Sequence, residues 1–142
     1  MSRSLIAFAL LLSSLAAATA QDDAAKKDLA KMQGVWKIES AIQGGETIPN
    51  EITAKLTFTF KGNEVVPSDN PADVAKVTLD PSKKPPAFDL TEKNAKTSLG
   101  IYEIQGDTLK LCFNGPGEPR PTAFESAKGS KAVYFVLKRD KK

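Results

Sequence analysis

The sequence predicts an all-β chain of eight or nine short antiparallel strands, a sandwich or an up-and-down barrel, with one short helix at its start. Three observations carry this. Residues 98–113, SLGIYEIQGDTLKLCF, alternate apolar and polar on both sides of Gly106-Asp107, the mark of a hairpin with a two-residue turn. Short runs with the same period-two alternation recur along the chain, separated by turns rich in Gly, Pro and Asn. Only one stretch after the leader, DDAAKKDLAKMQ, has helical spacing.

The chain begins with an export signal over residues 1–20. Arg3 supplies the positive end, an apolar run follows from Leu5 to Leu12, and Ala18-Thr19-Ala20 gives the small-x-small cleavage pattern. That run is shorter than the roughly 20 apolar residues a spanning helix needs, and no later segment approaches it. The expected product is an exported protein, periplasmic or extracellular, starting at Gln21 and without a membrane span. Residues 21–33 form a short helix or a linker, with Ala25, Leu29 and Met32 on one face and Gly34 as its stop. Residues 34–142 form the β domain.

In that domain, Trp36, Ile38, Ser40 and Ile42 share one face of the first strand, and Lys37 and Glu39 share the other. Gln43-Gly44-Gly45-Glu46 turns the chain, and residues 47–50 read as a loop or irregular segment. The strand over 54–61 points Leu56, Phe58 and Phe60 inward, and Gly62-Asn63 turns it into a short strand closed by Pro67. Ala75, Val77 and Leu79 form the next core face, then Phe88 and Leu90 beyond the stiff DPSKKPP segment.

The hairpin turn sets the register of the next pair. Gln105 faces Thr108, Ile104 faces Leu109, Glu103 faces Lys110, Tyr102 faces Leu111, Ile101 faces Cys112 and Gly100 faces Phe113. The inward set is then Tyr102, Ile104, Leu109, Leu111 and Phe113. Residues 114–121, NGPGEPRP, form a loop, and residues 122–125 a short strand carrying Phe124. The last strand, 132–139, is apolar on both faces, so something covers each of them; the N-terminal helix is the candidate cover for the outer one.

Composition narrows the function. The net charge of +3 comes with short, scattered Lys and Arg runs, so no nucleic-acid-binding stripe is expected. With no histidine in the chain, Ser-His-Asp and Cys-His catalysis and ordinary zinc or copper sites are excluded. Asp69, Asp73 and Asp80 are too dispersed for a calcium loop. Glu39 and Glu103 stand on outward faces beside Lys37 and Lys110, as solvated carboxylates do. No catalytic residue, metal or cofactor is therefore expected, and no enzyme. The single cysteine, Cys112, reads as a half-buried strand residue.

Gly34-Val35-Trp36 resembles the lipocalin G-x-W signature, and Leu137-Lys138-Arg139 resembles the late basic residue that such barrels fold back over that Trp. The chain is also similar, from Leu29 to Arg139, to a family of small exported lipocalin-like proteins of unassigned function found largely in planctomycete bacteria. The similarity runs through MQGVWK, LTF, LDPSKKP, LGIYE, GDTLKLC, RPT with Phe124, and LKR. It implies an antiparallel lipocalin-like up-and-down β-barrel of about eight strands, with Arg139 stacked on Trp36 as a barrel closure. Eight strands make a barrel that is either filled by side chains or holds one small ligand. Two functions follow. One is a binder of a small apolar or amphipathic ligand, with Phe60 and Tyr102 lining a pocket at one mouth and Arg120 on the rim to meet an anionic head group. The other is a filled barrel acting as an interaction or structural module of the periplasm or cell envelope.

Overall fold

Gly34–Gln43 (β1), ten residues long, is the seam of the molecule, with Trp36 and Ile38 alternating inward before a bulge. The computed structural model describes residues 23–141; the export signal read over 1–20 and the start at Gln21 lie outside the described residues. Residues 23–32 are helical (α1). After β1 come β2 (Glu46–Thr47), α2 (Asn50–Thr53), β3 (Thr57–Lys61), β4 (Glu64–Pro67), β5 (Ala75–Asp80), β6 (Ala87–Thr91), β7 (Thr97–Gln105), β8 (Thr108–Phe113) and β9 (Val133–Arg139).

From β3 onward each strand pairs antiparallel with the next. β1 pairs with β3 on one side and β9 on the other, so eight strands close into a barrel. β2 only hairpins onto the end of β1, through Ile42↔Thr47 and Gln43↔Glu46. This is the closed up-and-down architecture with a short helix at its start that the sequence and its resemblance led us to expect. Closure satisfies both edges of the sheet without a partner chain.

The β7–β8 register matches the expected one at all six positions, from Gly100↔Phe113 to Gln105↔Thr108. Gly106 has φ +58°, as the first central position of this turn requires. Glu103 and Lys110 form an ion pair of 3.7 Å on the outer wall. The inward aromatics meet edge-on in a chain: Phe60–Phe88 and Phe88–Tyr102 at 6.4 Å between centroids, and Phe58–Phe135 at 5.4 Å.

Five expectations are corrected. In β1, the register against β9 shifts between Ile38 and Ser40. This bulge reverses the alternation, so Ala41 is buried where Ser40 and Ile42 were expected. The strand expected over 54–61 starts only at Thr57, because residues 50–53 coil into α2 behind Pro49. Residues 122–125 form bends and not a strand. The helix does not cover the outer face of β9; that cover is the 114–132 connector, whose Phe124 lies 6.1 Å from Tyr134. The same connector buries Cys112 completely, and its Sγ donates to the Glu125 carbonyl at 3.2 Å. Burial then pushes the thiol pKa up, away from the reactive range.

Candidate functional site

α1 closes one end of the barrel. Its apolar stripe delivers Met32 into the core with no exposure and Leu29 beside it. The Trp36 indole N–H donates to the Met32 carbonyl at 2.8 Å. The Gln33 amide bridges across to the β3–β4 turn, donating to the Gly62 carbonyl and accepting from its N–H. The structure brings Trp36 and Arg139 together: the guanidinium carbon stands 4.4 Å from the Trp36 ring. Arg139 also donates to the carbonyls of Gln33 and Lys31 and pairs with Asp107 at 3.3 Å. The free carbonyls at the C-terminal end of α1 are thus satisfied by three side chains: Arg139 takes those of Lys31 and Gln33, Trp36 that of Met32 and Gln33 that of Leu29.

Tyr102 belongs to this closed end. Its ring is core and its hydroxyl donates to Asp28 of α1 at 2.6 Å. Burial, then that bond and the Asp28 charge, hold its ionisation well above the ordinary phenol value. Tyr102 ionises near pH 10 in the unfolded chain and later in the folded one. Its contribution to stability is therefore complete below pH 10 and is lost as pH rises toward the folded value, at about 1.4 kcal/mol per pH unit. Urea titrations at pH 8, 10 and 11 should show the stability gap between wild type and Tyr102→Phe shrinking above pH 10. A gap constant across that range would mean that Tyr102 is not held protonated.

The three expected pocket residues do not meet. Phe60 is in the core, Tyr102 ties the wall to α1, and Arg120 lies on the outer wall. There Arg120 pairs with Asp89 of β6 and donates to the Gly100 carbonyl at 2.7 Å. It pins the connector to the barrel, and its guanidinium, expected to meet an anionic head group, is paired with the Asp89 carboxylate. The neighbouring hollow of about 330 Å³, lined by Lys83, Lys84, Pro85 and Arg120 among others, opens on that outer wall.

Among the inward side chains lies a void of about 40 Å³, bounded by apolar groups that include Phe60, Phe88, Leu90, Leu111 and Phe135. A recess of about 160 Å³ lies at the other end, away from α1. It shares Phe58, Val65, Leu90 and Phe113 with the void and adds Pro67, Asp73, Ala75, Glu92 and Ser98. Sequence reasoning missed Asp73, Glu92 and Ser98 as mouth residues. The signal available was that Ser98 lies two positions before Gly100 and four before Tyr102, on the inward face. A further hollow, about 520 Å³, is a groove on the outer wall lined by Glu64, Lys76, Thr91, Lys93 and their neighbours, and none of the interior void's residues line it.

Among the described residues, no three His, Cys, Asp or Glu side chains gather as a metal site would require. No described helix is long and apolar enough to cross a membrane. No protein-family model, curated protein or solved structure matches this chain.

Proposed function

We infer that the protein is an exported, filled lipocalin-like barrel that works outside the cytoplasm through its surface, as an interaction module and not as an enzyme. Its similarity to the small exported planctomycete family and the leader over residues 1–20 support the location. The observation that carries the surface role is the 40 Å³ interior void, against the roughly 300 Å³ or more that a small-molecule pocket occupies. Aromatic side chains and Met32 take up the space a carrier would leave open.

A carrier of a small apolar or amphipathic ligand is the second reading. It is favoured by the wholly apolar interior lining and by the four residues the void shares with the recess above it. Native mass spectrometry of mature protein recovered from a periplasm separates the two. The expected result is the bare protein mass, with no thermal shift from a panel of lipids. An adduct that leaves on denaturation and has the mass of a lipid would overturn the filled-barrel reading in favour of the carrier.

A further inference from the structure

The barrel mouth carries a polar group that the fold itself does not use. Ser98 lies at the start of β7, opposite Leu90 in register, and both face inward. It is 8% exposed, and among the described residues its hydroxyl has no hydrogen-bond partner while it lines the 160 Å³ recess. Its oxygen is open to the recess, since Ser130 Oγ is the one fully enclosed side-chain polar atom left without a partner among the described residues. Around it the recess has an apolar floor of Phe58, Leu90 and Phe113 and two carboxylates at its rim, Asp73 and Glu92. Both are exposed, and neither side chain forms an ion pair among the described residues. Nearby cations lie elsewhere: Lys76 and Lys93 line the outer groove, which shares only Glu92 with the recess.

We propose that this mouth is a binding site for a small organic ammonium with a short apolar or aromatic tail. An ammonium has three N–H donors and no acceptor, which matches a rim of two carboxylates and an idle hydroxyl oxygen. The tail rests on Phe58 and Phe113. The recess is of the order that accommodates one ring, since apolar cavities of about 150 Å³ take up benzene. An anionic head group is repelled by the same rim, so the charge preference is opposite to that assigned to Arg120 from sequence. The site adds to the filled-barrel reading and needs no change to the core.

The test uses the mature chain with benzylamine, benzyl alcohol and benzoate as probes, followed by ¹H–¹⁵N spectra at pH 7. Benzylamine should shift the Leu90, Ser98 and Phe113 amides and saturate at about millimolar concentration. Benzyl alcohol should bind about tenfold more weakly, and benzoate should not shift them. Ser98→Ala should weaken benzylamine several-fold. Asp73→Asn with Glu92→Gln should erase the preference for benzylamine over the alcohol; both rim residues are exposed, so this variant folds even if Ser98→Ala does not. The proposal is overturned if benzylamine fails to saturate, if the alcohol binds equally well, or if the shifts centre on Lys76 and Thr91 in the outer groove. A lipid found inside the barrel would sink the filled-barrel reading and leave these outcomes separately readable.

Discussion

Trp36→Ala is expected to cost about 3–5 kcal/mol, a large part of the 5–15 kcal/mol that holds a domain of this size. Trp36 is the only tryptophan and has no exposed surface. It sits at the seam, with Phe58 of β3 opposite it on one side and Arg139 of β9 on the other. Truncation removes the ring that fills the closed end. It also leaves the Met32 carbonyl without its donor and the Arg139 guanidinium without its face. The last strand, the first strand and α1 meet at this side chain, so all three should loosen together. Urea unfolding should show a lower midpoint, and amide exchange should rise in α1 before it rises in β6–β8. Trp36→Phe keeps most of the volume and loses the N–H donor, so about 1–2 kcal/mol is expected for it. An alanine variant within about 1 kcal/mol of wild type would show that the barrel floor is not part of the cooperative unit.

Gly100→Ala should be nearly as damaging, for a steric reason. A Cβ built there would stand 2.7 Å from the Cys112 carbonyl oxygen, 2.7 Å from the Phe113 Cβ and 2.8 Å from the Phe88 carbonyl oxygen. Two of the three are backbone atoms of the flanking strands, which the ladder holds in place, so they cannot yield cheaply. Phe88 and Phe113 are the cross-strand partners of Gly100, and the bare backbone between them gives both rings their room. The expected cost is about 3 kcal/mol, the upper end for overpacking. Gly106→Ala is the control. Nothing lies within 4 Å of a Cβ there, and only its φ of +58° is unfavourable, so about 1 kcal/mol is expected. Thermal unfolding of the pair decides it: equal shifts would mean that Gly100 matters for backbone freedom and not for close approach.

Most of the barrel was legible because a strand records its own burial. In residues 98–113 the alternation, the Gly-Asp turn and the Glu103–Lys110 pair all agree, and the structure has that register at every position. Where one residue breaks the alternation, the pattern misleads. The bulge near Glu39 is a single extra residue, and it moved burial from Ile42 to Ala41 without any mark in composition. Arg120 shows the same limit over a longer distance. Its local setting is a breaker-rich loop, and its partner Asp89 is 31 residues away on another strand. A basic residue in such a loop reads as free until the fold supplies its carboxylate.

The sequence by itself determined the all-β class, the register of the β7–β8 hairpin, the inward aromatics and the lack of histidine, because each depends on residue type and near-neighbour spacing. Tertiary structure alone decided three things. It placed α1 in the barrel end and the connector over Cys112, it used the aromatics to fill the interior around a void of about 40 Å³, and it left Ser98 with Asp73 and Glu92 around an open recess. The reason is geometric. How much space remains inside a closed barrel depends on how side chains from all eight strands share one volume, and no local pattern encodes that sum.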